Sequence, residues 1–228
     1  MLPRRARLAT LVVLCCLPAA VPAAPAQIGG TLQLLARGGK VVDRTADVRN
    51  AVVAYWPRGG VAGLQTSRTF SMTTEKKEFT PRVLAVPAGT SVQFPNRDPI
   101  LHNVFSISGE NRFDLGLYRQ GPGKSVAFKH PGLVRVFCNI HHSMVAYVRV
   151  LDTPFFTSPD AAGKFVLAGL PAGPGRLEVW HEQTADWASE IAGPHAEPLT
   201  VRLEVTKPRV PPHLNKTGRS YSKRGDDY

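Results

Sequence analysis

Hydrophobic and polar residues alternate along most of this chain in short runs, which is the period-two pattern of β-strands with one buried face. The alternation is clearest over residues 92–94, 134–136 and 199–205, and no stretch keeps a helical period for long. Turn residues separate the runs, since the chain has 20 glycines and 20 prolines, above average use. The pattern therefore predicts an all-β protein built from antiparallel sandwiches or barrels.

The predicted strands fall into two groups along the chain. We expect one group at residues 67–151 and a second, smaller β-sandwich at 152–206. The segment 27–66 contains further apolar runs, which can belong to either group. From residue 207 the alternation stops, and 207–228 holds six basic residues, two acidic residues and three prolines. That composition predicts a disordered basic tail.

The first 26 residues have the pattern of a signal peptide. Arginines at positions 4, 5 and 7 precede an apolar run over 8–17 that is too short to cross a bilayer, and Ala24-Pro25-Ala26 forms an A-x-A cleavage site. A membrane anchor is the alternative, but no later run is long and apolar enough to span a membrane. We therefore predict export to the periplasm, with no membrane span in the mature chain.

Removal of this peptide leaves one cysteine of three, because Cys15 and Cys16 lie inside it. A single thiol in an exported protein has no disulfide partner within its own chain and is prone to oxidation. Cys138 is therefore paired between chains, buried and inert, or bound to a metal. The cleaved chain also keeps +8 of the formal charge of +11, half of it on the basic tail, and this excess favours an acidic partner.

Cys138 is followed by His141 and Met144 in the spacing C-x2-H-x2-M, and His102 lies 36 residues upstream. A thiolate, two imidazoles and a weak axial thioether form the ligand set of a blue-copper site. Taken singly, a buried cysteine is more often a small packing residue than a ligand. The combination favours one copper ion on these four residues. His142 offers a competing C-x3-H spacing, but His141 lies three residues from both Cys138 and Met144 and fits without adjustment.

Residues 69–151 resemble a cupredoxin of the plastocyanin/azurin type, and the C-x2-H-x2-M loop resembles that of amicyanin. The similarity extends to residues 78–81 and to the turn at 86–90. The resemblance implies a Greek-key sandwich, and it also implies that Asn103 ties the two ligand loops together by hydrogen bonds. The copper ligands of the family fall on His102, Cys138, His141 and Met144.

Residues 160–181 resemble, more distantly, a transthyretin-like or carboxypeptidase-regulatory β-sandwich. The similarity rests on the turn at 160–165, on Gly169-Leu170-Pro171-Ala172-Gly173 and on the strand at 177–181. The segment 152–206, about 55 residues, is short for such a domain, and 28–56 resembles its missing first strands. We expect the cupredoxin to be inserted into this second sandwich. Two domains in tandem, with 27–66 serving the cupredoxin, are the alternative.

The motifs that are missing narrow the function. Phe137 and Asn139 flank the cysteine, where copper enzymes that relay electrons to further coppers place a histidine. The chain also lacks a C-x-x-C-H haem motif, a Gly-rich phosphate loop and a nucleophile elbow. The sequence thus predicts a one-electron carrier that is not an enzyme, with a c-type cytochrome or periplasmic oxidoreductase as redox partner and no nucleic-acid partner. A copper chaperone or storage protein, and a non-redox interaction module with a cupredoxin shell, are the alternatives.

Overall fold

The computed structural model describes residues 26–42, 46–64, 68–194 and 197–221. The predicted signal peptide, 1–26, lies outside these residues except for Ala26. Within them the chain forms seventeen strands and two short 3-10 helices, Val48–Asn50 and Gly109–Asn111, so the prediction of an all-β protein is confirmed. Over the same ranges, no helix is long and apolar enough to cross a membrane.

Many strands alternate between buried and more exposed positions, as Thr90–Asn96 does, because successive side chains point to opposite faces of a sheet. The strands are β1 (Ile28–Leu35), β2 (Val52–Pro57), β3 (Phe70–Ser71), β4 (Thr73–Glu75), β5 (Glu78–Thr80), β6 (Val83–Pro87), β7 (Thr90–Asn96), β8 (His102–Ser106), β9 (Phe113–Tyr118), β10 (Gly121–Phe128), β11 (Gly132–Cys138), β12 (Val145–Leu151), β13 (Phe156–Thr157), β14 (Lys164–Leu167), β15 (Gly175–Trp180), β16 (Trp187–Ile191) and β17 (Leu199–Glu204).

Strands β3 to β12 form two sheets that share one apolar core. One sheet has the order β10-β7-β4-β5, with β3 also beside β7, and the other has the order β6-β12-β11-β8-β9. In the second sheet, β12 pairs antiparallel with β11 and parallel with β6. The core between the sheets includes Val92, Phe94, Phe128, Val136 and Val148.

β1, β2 and β13 to β17 form a second pair of sheets. Their orders are β14-β1-β17 and β13-β2-β15-β16, so β1 and β2, which precede the first pair of sheets in the chain, pair with strands that follow it. Ile28, Tyr55 and Leu177 are buried in the core of this second sandwich. The backbone at Gly175 passes so close to Tyr55 that a Cβ there would lie 2.4 Å from the tyrosine ring. Only glycine allows this approach.

A layer of buried residues joins the two sandwiches. Val145 and Tyr147 of β12 belong to this layer, whereas Ala146 and the even-numbered residues after it belong to the core of the first sandwich. Both faces of β12 are therefore covered, which explains why its sequence is apolar almost throughout. Trp180 of β15 packs against Tyr147 with ring centroids 5.6 Å apart.

The C-terminal segment differs from the predicted disordered tail over residues 207–221. The N–H groups of Thr206 and Lys207 donate to the carbonyl oxygen of Gln183 at 2.9 and 3.0 Å, and the guanidinium of Arg82 donates to the carbonyl oxygen of Arg209. The segment has no apolar period, so its composition predicts disorder. It is held instead by hydrogen bonds to groups that are distant in the sequence. Residues 222–228 lie outside the described residues.

Candidate metal centre

The strand register brings His102 and Cys138 to the same end of one sheet. β8 begins at His102, β11 ends at Cys138, and the two strands pair antiparallel with Cys138 opposite Val104. Paired residues share a face of the sheet, as do residues two apart in one strand, so the two side chains point to the same side. Both are fully buried, and Sγ of Cys138 lies 3.7 Å from Nδ1 of His102.

The loop after Cys138 turns back on itself and carries the other two predicted ligands inward. The N–H of Met144 donates to the carbonyl oxygen of His141 at 3.1 Å, and the N–H of Cys138 donates to that of Met144 at 3.2 Å. This closed loop places Nδ1 of His141 3.6 Å from Sγ of Cys138. His141 and Met144 are 2% and 1% exposed, whereas His142 is exposed to solvent.

The donor atoms of His102, Cys138 and His141 lie within 4.8 Å of one another. Metal bonds of about 2.0 Å to imidazole nitrogen and about 2.3 Å to thiolate sulfur, about 120° apart, separate nitrogen from sulfur by roughly 3.7 Å. The observed separations of 3.7 and 3.6 Å match that value. The side chains as they stand therefore fit a trigonal site of two nitrogens and one sulfur, and the thioether of Met144 is buried in the same core cluster as Cys138. Ligation by these residues stays a prediction.

Asp98, which is not among the predicted site residues, lies against Nε2 of His102, the ring nitrogen other than the one near Cys138. Its Oδ2 lies 2.9 Å from His102 Nε2, and its two oxygens accept the N–H groups of Lys76 and Lys77 at 2.6 and 2.9 Å. Burial raises the pKa of Asp98, but the backbone and His102 hydrogen bonds outweigh it and hold that pKa below its usual value. The position of Asp98, four residues before the histidine, is the feature that could have indicated its role.

Burial lowers the pKa of the His102 imidazole, and the bond to Asp98 offsets this in part. Burial therefore favours the neutral form of the imidazole. A neutral ring that donates its Nε2 proton to a carboxylate presents the lone pair of Nδ1 on its other side, where Cys138 lies. That tautomer is the one a metal at Nδ1 needs.

Asn103 links the two ligand segments through its backbone. The N–H of Asn139 donates to the carbonyl oxygen of Asn103 at 3.0 Å. This backbone hydrogen bond connects the two ligand segments, which the resemblance led us to expect of Asn103. The Asn103 side chain instead donates to Asp114 Oδ1 at 2.6 Å, and Asp114 Oδ2 accepts from Lys216 Nζ at 2.7 Å. Burial raises the pKa of Asp114, but the bonds from Lys216 and Asn103 outweigh it and keep that pKa below its usual value. Nothing in the sequence indicates this contact with the C-terminal segment.

No model of a protein family matches the chain, and no curated protein matches it. The solved structures that match include a purple cupredoxin from Nitrosopumilus maritimus, with 22% identity and a TM-score of 0.33 over 36% of this chain and 99% of that chain. A Cu-containing nitrite reductase from Thermus scotoductus SA-01 matches with 25% identity and a TM-score of 0.37 over 42% of this chain and 25% of its own. A reduced mutant of amicyanin matches with 21% identity and a TM-score of 0.35 over 45% and 99%.

Proposed function

We propose that this protein is a type 1 copper protein of the periplasm that carries single electrons, with one copper ion on His102, Cys138, His141 and Met144. The observation that carries the proposal is the buried cluster in which both Nδ1 atoms lie 3.6 to 3.7 Å from the same sulfur. Two imidazoles and a thiolate with a weak thioether are the donor set of copper centres that exchange one electron. A structural zinc site would need four strong ligands.

The residues of the chain support electron transfer by holding these ligands still. Copper bound here supplies the Cu(I)/Cu(II) couple. Asp98 orients His102, the closed loop orients His141, and burial keeps water away from Cys138. Ligands that are held in one geometry rearrange little when the charge of the metal changes. Hydrogen bonds to the ligands from surrounding residues also adjust the reduction potential of the metal.

We also propose that the protein is a carrier rather than an enzyme, and that it meets a protein redox partner of opposite charge, such as a c-type cytochrome or a periplasmic oxidoreductase. The support for the oppositely charged partner is the formal charge of +11, of which +8 remains after removal of residues 1–26. Charge of one sign accelerates the encounter with an oppositely charged partner. The periplasmic location depends on the signal-peptide pattern of residues 1–26.

For the domain organisation, we propose that residues 67–151 form the copper-binding domain and that 27–66 together with 152–206 form a transthyretin-like sandwich. The support is that β1 pairs with β14 and β17, and that β2 pairs with β13 and β15. We assign the second sandwich a role in packing or partner docking, because it covers the outer face of β12.

An absorption spectrum of the copper-loaded full chain tests the proposal. We expect an intense blue band from charge transfer between the thiolate and copper, which Cys138→Ser abolishes. Ser143→Ala is the matched control, because it changes an exposed residue of the same loop, and it should stay blue. A protein that binds copper but is colourless would support the chaperone or storage alternative. Blue colour in Cys138→Ser would show that the ligand assignment is wrong.

A further inference from the structure

Residues 213–221, which we call the C-terminal strap, lie against the start of the ligand loop. The hydroxyl of Tyr221 donates to the carbonyl oxygen of Cys138 at 3.0 Å, and the N–H of Lys216 donates to Asn139 Oδ1 at 3.0 Å. Cys138 and Asn139 are the first two residues of the loop that returns at Met144. One hydrogen bond of the strap therefore ends on the peptide of the proposed thiolate ligand, and another ends on the residue after it.

The strap also reaches the segment that carries the other proposed histidine ligand. Lys216 Nζ lies 2.7 Å from Asp114 Oδ2, and Asp114 Oδ1 accepts the side-chain amide of Asn103 at 2.6 Å. Asn103 directly follows His102 in β8. Through Lys216 and Asp114, the strap is connected to the histidine segment as well as to the cysteine loop.

The strap has its own internal hydrogen bonds. Asn215 Oδ1 accepts the N–H of Arg219 at 3.0 Å, and the Asn215 N–H donates to the carbonyl oxygen of Arg219 at 2.9 Å. Gly218 in this turn has a φ of 77°, a conformation that glycine adopts without strain. At the other end, the His213 ring stacks on Phe137 with centroids 4.3 Å apart. A segment that is already closed by its own bonds loses less conformational entropy on docking, so its contacts can restrain the loop.

We propose that the C-terminal strap is a positioning element of the metal centre, and that Tyr221 is the positioning residue that acts on Cys138. The proposal rests on the copper site proposed above. Partners outside the direct ligands fix the orientation of the ligands and change the affinity for the metal. The Tyr221 hydroxyl restrains the peptide that carries the sulfur, and Lys216 restrains the next side chain along the loop. Loss of these bonds loosens the loop and lets the metal leave faster.

Tyr221→Phe in the full chain tests this, because it removes the hydroxyl and keeps the ring. Tyr55→Phe is the matched control, since Tyr55 also donates its hydroxyl to a carbonyl oxygen, that of Gly173 at 3.1 Å, but in the other sandwich. We expect Tyr221→Phe to transfer Cu(I) to a chelator roughly two- to tenfold faster than wild type, the range for one lost hydrogen bond. We also expect a shifted reduction potential. Tyr55→Phe should change neither quantity.

Two further measurements separate positioning from a structural role. If Tyr221→Phe lowers the thermal midpoint of the copper-free protein as Tyr55→Phe does, with no change in potential or copper release, Tyr221 is structural and the proposal is overturned. In the copper-free mature protein, iodoacetamide alkylates Cys138, the one cysteine outside the predicted signal peptide, at a rate that reports access to the thiol. We expect faster alkylation in Tyr221→Phe and a smaller increase in Lys216→Met, whose ion pair is partly exposed.

The outcomes distinguish this proposal from the function on which it rests. A blue wild-type protein together with unchanged release, potential and alkylation in Tyr221→Phe overturns the strap alone. A wild-type protein that takes up no copper overturns both proposals.

Discussion

The ion pair between Arg82 and Glu182 links the two sandwiches, and its loss should destabilise the whole protein. Arg82 Nε lies 2.8 Å from Glu182 Oε1, and the two side chains are 14% and 1% exposed. Arg82 Nη1 also donates to the carbonyl oxygen of Val145, the residue after Met144, at 2.9 Å. Arg82→Met keeps much of the aliphatic side chain but removes the guanidinium, and with it the ion pair and the hydrogen bonds to the carbonyl oxygens of Val145 and Arg209.

The size of the effect follows from the burial of Glu182. After Arg82→Met, the carboxylate keeps weaker neighbours, Asn50 Nδ2 at 3.3 Å and His181 Nε2 at 3.7 Å. Removing one partner of a buried ion pair costs about 3–5 kcal/mol. The exposed pair of Arg58 and Glu190, at 68% and 58% exposure, is the matched control. Arg58→Met should cost about 0–1 kcal/mol, the typical contribution of a surface ion pair.

Urea unfolding of the full chain measures both variants. With a slope of about 2 kcal/mol per molar urea, a loss of about 4 kcal/mol lowers the midpoint by about 2 M. The double variant Arg82→Met/Glu182→Leu should recover much of that loss, because no charge is then left buried. If the free energy of unfolding of Arg82→Met differs from that of Arg58→Met by less than about 1 kcal/mol, the Glu182 carboxylate does not depend on Arg82, and the expected cost of burying it unpaired is refuted.

Three further measurements test the ligand loop, the buried imidazoles and the architecture. His142→Ala should keep the blue band of the copper-loaded protein, because the His142 side chain is exposed. His141→Gly removes a buried imidazole, so it should lose the blue band until added imidazole fills the vacant position. The opposite pattern would move the ligand to His142. Burial, partly offset by Glu182, lowers the pKa of His181 below its ordinary 6.5, so the unfolded chain binds a proton below that pH that the folded protein does not. The free energy of unfolding should therefore fall as the pH is lowered from about 7 to about 5. In urea titrations, His181→Gln should flatten only part of this slope, because the pKa values of His102 and His213 are lowered as well. An unchanged slope would contradict the role of burial. The fragment 152–206, which lacks β1 and β2, should be unfolded by circular dichroism, and a cooperative melt would contradict the proposed inserted arrangement.

The positions of strands were predictable from the sequence because the alternation of side chains is a local property. β7, β11 and β17 lie where the alternation over 92–94, 134–136 and 199–205 predicts strands. The pairing of β1 with β14 and β17 is not local, since its partners lie on the far side of the whole first sandwich in the chain. Hydrogen bonds between distant strands depend on the complete fold, so the sequence left two arrangements open.

The candidate site likewise has residues that the sequence indicated and contacts that only the tertiary structure decided. A short loop closed between two strands determines locally which side chains turn inward, so the sequence by itself indicated Cys138 and His141. His102 lies in β8, outside this loop, and was indicated because the donor set needs a second imidazole; the pairing of β8 with β11 brings it to the other two residues. The hydrogen bond between Asp98 and His102 also requires the turn at Lys76 and Lys77, whose N–H groups hold the Asp98 carboxylate in place. The contact of Tyr221 with Cys138 joins residues 83 positions apart. Only the tertiary structure decided it, because hydrogen bonds between polar groups leave no periodic pattern in either segment and form only where the packed sandwiches direct the chain past the loop.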